Sequence, residues 1–135
     1  KIARTGLGKL DPYVAGKIAN EHYKLGNMYL DMALYDNAIE EYTKALGLRD
    51  GLADVHTKLG IALREKGLID EAINEFSLAK KANPFYGPAQ VQLGLAYYTK
   101  GLTGLALEEW EDALKKNPSL KEAASLINIL KREGK

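Results

Sequence analysis

The sequence predicts an all-α solenoid of three helix-turn-helix repeats closed by a C-terminal capping helix. Gly26, Gly60 and Gly94 recur at intervals of 34 residues, and apolar and small side chains recur in step with them. A fixed period of that length marks a unit that cannot bury its own hydrophobic face and must stack on copies of itself to make a core. Each period divides into two helix-length stretches, the first running through Leu25-Gly26, Leu59-Gly60 or Leu93-Gly94 and the second through Ala38, Ala72 or Ala106. Pro84 and Pro118 close the second and third periods, because proline disfavours helix for the residue before it and suits a following helix start. Asp50 takes that place in the first.

Residues 1–18 read as an N-terminal tail and a helix extension. Residues 1–10 show no period and are expected to form a mobile tail, the alternative being that Ile2, Leu7 and Leu10 cover the exposed first helix. Asp11-Pro12 is a helix start, and Val14, Ile18, Leu25 and Tyr29 extend the first helix backward. The three repeats occupy 19–52, 53–86 and 87–120, together 19–120. In their first helices Leu25 and Tyr29, Leu59 and Leu63, and Leu93 and Tyr97 lie four apart, as one buried stripe requires, with Leu25, Leu59 and Leu93 facing the core. In their second helices Ala38, Tyr42 and Ala45 match Ala72, Phe76 and Ala79, then Ala106, Trp110 and Ala113. Asp36 and Asp70 are expected to cap those helices, where a short carboxylate accepts from exposed backbone N–H groups; Gly104 stands there in the third. Residues 121–135 are the capping helix and tail: Ser119-Leu-Lys-Glu122 has capping-box spacing, and Lys131 replaces the Tyr29, Leu63 and Tyr97 of earlier units. A polar residue at that position ends the stack in water.

Composition narrows the function. The 135 residues are 46% hydrophobic and 27% charged, as in ordinary globular chains. A net charge of +1, with acids and bases interspersed and Lys80-Lys81 and Lys115-Lys116 isolated, supplies no stripe for nucleic acid or an anionic membrane. Zero cysteines excludes disulfides and thiolate metal sites and is compatible with the cytoplasmic location expected here. No apolar run reaches the roughly 18 residues of a membrane span, and Lys1–Leu10 lacks a signal-peptide core.

The repeated residues closely resemble the tetratricopeptide repeat family, whose pattern pairs Leu-Gly and an aromatic in one helix with Ala, an aromatic, Ala and a terminal Pro in the next. His22, His56 and Gln90 depart from it by occupying a position often filled by tryptophan. The resemblance implies right-handed stacking, with first helices lining a concave groove that binds a peptide or helical segment of a partner protein. Turning the leucines to the core leaves Tyr23, Asn27, Leu30 and Asp31, then Thr57, Lys58, Ile61 and Arg64, then Val91, Gln92, Leu95 and Tyr98 facing inward. Ile61, Val91, Leu95 and Tyr98 form an apolar patch of the kind that marks a contact site, with Tyr23 and Tyr98 as anchors. The alternative for Ile61 and Leu95 is simple packing between helices. The family's two-carboxylate clamp for chaperone tails is incomplete: Asn27 matches one position, while Tyr23, Lys58, Pro88 and Gln92 stand at others. Chaperone-tail specificity is therefore not expected.

No catalytic, cofactor or metal site emerges. His22 and His56 stand one period apart in equivalent places, which points to a shared packing role. Glu40, Glu41, Glu75, Glu108 and Glu109 read as the solvated face of the outer helices, and no HExxH, Walker loop or Gly-rich dinucleotide turn occurs. The reading is a non-enzymatic adaptor or scaffold, the alternative being a homo-oligomerising scaffold that buries the Tyr13, Val14 and Ile18 region against another copy.

Overall fold

The computed structural model describes residues 10–133, which form seven helices and no strand. These are α1 (Pro12–Asp31), α2 (Tyr35–Leu48), α3 (Ala53–Glu65), α4 (Ile69–Ala82), α5 (Gly87–Thr99), α6 (Thr103–Lys116) and α7 (Lys121–Glu133). The expectations for Ile2 and Leu7 fall outside the described residues. Each odd helix packs on the next even one as a hairpin, and each even helix packs on the following odd one. The first helices α3 and α5 also touch each other, as do α1 and α3, whereas no comparable contact joins α2 to α4 or α4 to α6. A stack whose first helices converge and whose second helices diverge curves with the first helices on its inner side.

The helix starts obey local chemistry, with two corrections. Asp11 caps α1 by accepting from the Tyr13 N–H at 2.7 Å, and Pro12 follows where its missing N–H costs nothing. Asp36 and Asp70 do not cap. Leu34 and Leu68 occupy the cap positions without side-chain bonds, placing the two aspartates inside the first turn. There each carboxylate receives a lysine ammonium from the next repeat, Lys66 on Asp36 and Lys100 on Asp70, both at 2.5 Å. The capping box fails similarly: α7 begins at Lys121, and the Ser119 hydroxyl donates backward to Asn117 Oδ1 at 2.8 Å.

Gly26, Gly60 and Gly94 explain the period. A Cβ at these positions would lie 2.6 Å from Tyr42, 2.4 Å from Phe76 and 2.2 Å from Trp110. The aromatic of each second helix therefore lies against bare backbone of its first helix. Around these contacts Ala38, Ala72 and Ala106 are fully buried, and Leu59, Leu63 and Leu93 fill the spaces between hairpins. A second cluster joins Trp110 to Val91, Ala123 and Ile127 of the last helix. Leu25 departs from the expected core role. It is 37% exposed where Leu59 and Leu93 are 6% and 2%, because among the described residues no hairpin precedes α1.

Between the helices of each hairpin the chain must turn through the left-handed region. Gly67 and Gly101 do so at φ 86° and 81°, but Ala33 holds the same place in the first repeat at φ 59°. A Cβ in that region is strained by roughly 1–2 kcal/mol. Ala33→Gly should raise stability by about 0.5–1 kcal/mol, read as a higher urea midpoint with unchanged slope. Gly94→Ala should lower it by about 1–3 kcal/mol, since the indole of Trp110 is closed in on every side.

Candidate partner-binding groove

The inner wall is built by α1, α3 and α5, and the ten side chains expected on it divide into three groups. Lys58, Arg64 and Gln92 are half-buried and Tyr98 is exposed. Arg64 donates to the Gln92 side-chain oxygen, tying α3 to α5, and lies 3.7 Å from the Glu65 carboxylate. Lys58 enters no ion pair among the described residues. Tyr98 is 40% exposed, and its hydroxyl donates to Glu133 at the end of α7 at 2.7 Å. That bond to a carboxylate pushes the phenol's pKa up.

Tyr23, Asn27, Leu30, Ile61 and Leu95 are half-buried and already engaged. Leu30 and Ile61 pack on the main core and Leu95 on the second cluster. Asn27 spends its side-chain oxygen on the Tyr42 hydroxyl at 2.6 Å. The Tyr23 ring leans on Tyr42 at 6.1 Å between centroids, tilted 46°. Burial pushes the Tyr23 phenol up, with Asn27 opposing and Asp54 adding to the shift.

Val91 is the correction. It is 1% exposed and packs against Trp110, Ala123 and Ile127, while its carbonyl accepts from the Trp110 indole N–H at 3.2 Å. Thr57, one period earlier, is likewise buried, its hydroxyl donating to the Ala53 carbonyl at 2.8 Å. This position sits where first helices converge, so curvature closes over any short side chain there; the longer Tyr23 reaches out. The expected apolar patch is correspondingly smaller, reduced to edges of Ile61 and Leu95 beside Tyr98.

Sequence reasoning missed the mouth of the wall between α1 and α3. Asn20, Tyr23, Arg49 and Asp54 line a depression of about 250 Å³ there with Gly16, Ala19, Leu52 and Val55. Tyr86 belongs to the same neighbourhood: burial raises its phenol, and Tyr23 and Asp54 raise it further. Asn20 and Asp54 stand 34 residues apart, so the period itself was the available signal.

Behind the wall, each hairpin is locked by one polar bridge. His22 Nδ1 meets Glu41 Oε1 at 2.6 Å and His56 Nδ1 meets Glu75 Oε1 at 2.7 Å. Since a carboxylate only accepts, each Nδ1 carries its proton. In the third hairpin Gln90 Nε2 donates to Glu109 Oε1 at 3.0 Å and to Asp112 Oδ2 at 2.9 Å. Glu41, Glu75 and Glu109 are therefore interhelical partners rather than members of a solvated face. Glu41 is buried, and Glu75 and Glu109 are half-buried. The position seen as a departure from tryptophan is where one helix reads the other.

The Glu41 carboxyl is held below its ordinary value of 4.5, first by the His22 hydrogen bond and then by Lys44. A carboxyl lowered in the folded state adds stability that is complete above its unfolded value and is lost as pH falls through the folded one. Denaturation between pH 6 and about pH 3 should show this loss. Glu41→Gln should flatten the slope below pH 4.5 while lowering stability near neutrality.

A tetratricopeptide repeat family model matches residues 22–51, the first hairpin. No curated protein sequence matches the chain significantly. Among solved structures, MamA is similar at 28% identity and a TM-score of 0.78, over 86% of this chain and 68% of that one. The second repeat domain of human RPAP3, solved in complex with an HSP70 peptide, aligns at 21% identity and 0.77, over 90% and 98%. The TPR2B domain of yeast Sti1 in its pHsp70 complex aligns at 20% identity and 0.81, over 87% and 98%.

Proposed function

We propose that this chain, a tetratricopeptide repeat protein, is a non-enzymatic interaction module that holds a peptide or helical segment of a partner protein along the wall of α1, α3 and α5, acting as an adaptor or scaffold. One observation supports the reading: the first helices converge into an inner surface that carries Lys58, in no ion pair among the described residues, with the Arg64–Gln92 pair and the exposed Tyr98. Peptide complexes of domains with the same fold support it. The occupant is read by hydrogen bonds and charge more than by apolar contact, because Val91 is buried and Ile61 and Leu95 offer only edges. A terminal carboxylate gripped by paired asparagines is not the preferred ligand. Asn27 is committed to Tyr42, and Pro88 and Gln92 stand where other donors would be needed.

Both histidines are tied to glutamates within their own hairpins, which leaves them structural work. Substituting His22 and His56 together should therefore alter stability without abolishing peptide binding.

The test is an array of short peptides spanning acidic, neutral and basic compositions, followed by titration of the best binders. Saturable binding weakened by roughly 1–2 kcal/mol for each of Tyr98→Ala and Lys58→Ala, with an unchanged helical melt, is the expected result. Tyr23→Ala and Leu95→Ala should also weaken binding but lower the melting temperature, since both side chains pack on the core. Binding that survives Tyr98→Ala combined with Lys58→Glu and Arg64→Glu would remove the groove assignment.

A further inference from the structure

We propose that the outer face of α1 is a self-association surface, through which two copies of the chain pair antiparallel about a two-fold axis. Val14, Ile18, Leu25, Met28 and Met32 are all at least 37% exposed. Their spacings of four, seven, three and four place them, with Glu21 between, in one arc of about 80° along a helix roughly 30 Å long. Isolated apolar residues on a surface are ordinary; a full-length stripe is not.

The same face is buried in the later repeats. Val55, Leu59 and Ala62 of α3, and Ala89, Leu93 and Ala96 of α5, are closed off by the preceding hairpin. The matching residues of α1 are Glu21, Leu25 and Met28. Alanine at the third position lets a preceding helix approach closely, whereas Met28 holds it off and suits an adaptable contact. The face therefore departs from the pattern that receives another repeat.

Charge selects the occupant. Lys17 flanks the N-terminal half of the stripe, its ammonium 5.6 Å above the exposed Tyr13 ring, and Asp31 flanks the C-terminal half on the same side. Parallel pairing of two copies would set this flank beside the opposite flank of the other copy, so that Lys17 and Asp31 would meet neither themselves nor each other. Antiparallel pairing sets Lys17 against Asp31 twice, aligns Val14 with Met32 and Ile18 with Met28, and brings Glu21 beside Leu25 and Lys24 of the copy. Glu21 and Lys24, 3.6 Å apart within one chain, then neutralise the region near the axis. A contact of two such helices falls at the small end of specific interfaces, so the dimer is reversible.

Sedimentation of the full chain across a wide concentration series tests this. Wild type should pass from monomer to dimer, and Leu25→Glu with Met28→Glu should remain monomeric with unchanged helix content, because both side chains are exposed. Lys17→Asp and Asp31→Lys should each weaken the dimer about tenfold or more, and the double exchange should restore it, since like charges become opposite again. A wild type that stays monomeric throughout, a dimer indifferent to the two glutamates, or a double exchange that fails to rescue would each overturn the proposal. Leu25→Glu with Met28→Glu changes no residue expected on the groove, so the outcome of that variant is separable from that of the groove.

Discussion

Three times in this molecule an aromatic ring lies against a stretch of helix backbone that carries no side chain. Gly26, Gly60 and Gly94 leave no Cβ where Tyr42, Phe76 and Trp110 lie down. That contact sets the distance between the helices of each hairpin, and the alanines around it allow neighbouring hairpins to close up. Once the separation is fixed, the first helices touch one another and the second helices make no comparable contact. The curved inner wall follows from the glycines rather than from any residue on the wall.

The same economy of space decides which side chains are free. A converging layer covers short side chains at its seam, so Val91 and Thr57 disappear while Tyr23 extends past them. Longer polar side chains are covered less completely: Lys58, Arg64 and Gln92 remain half-buried. Polar bridges hold the opposite side. His22 with Glu41, His56 with Glu75, and Gln90 with Glu109 fix the rotation of each second helix against its first, 19 residues apart in every case. A bridge of this type contributes modestly to stability and strongly to register, because leaving either partner unpaired is costly.

The hairpins were legible because their contacts are periodic in the chain. Leu59, Ala72, Phe76, Leu93, Ala106 and Trp110 repeat at one spacing, and all are buried. Leu25 obeys the same period yet is exposed, since burial also depends on what stands next to it, which a period does not state. Asp36 and Asp70 were visible as acids at helix starts, but a shift of one or two positions in the start turns a cap into the partner of Lys66 or Lys100. The glutamates of the second helices looked solvated because the histidines and the glutamine that meet them are 19 residues away. Wall orientation was readable only to the helix face. Whether a residue on that face is open is a matter of curvature, an outcome of the whole stack.

The bond from Tyr98 to Glu133 gives the two ends of the wall different characters. Toward α1 the surface opens onto the depression lined by Asn20, Tyr23, Arg49 and Asp54. Toward α7 the phenol is already satisfied by the chain's own carboxylate at 2.7 Å. A visitor that engages that hydroxyl must exchange one acceptor for another, so its gain there is a difference between two similar bonds. Occupancy at that end is thus a contest with an internal rival, and loosening the last turn of α7 tilts the contest toward the visitor.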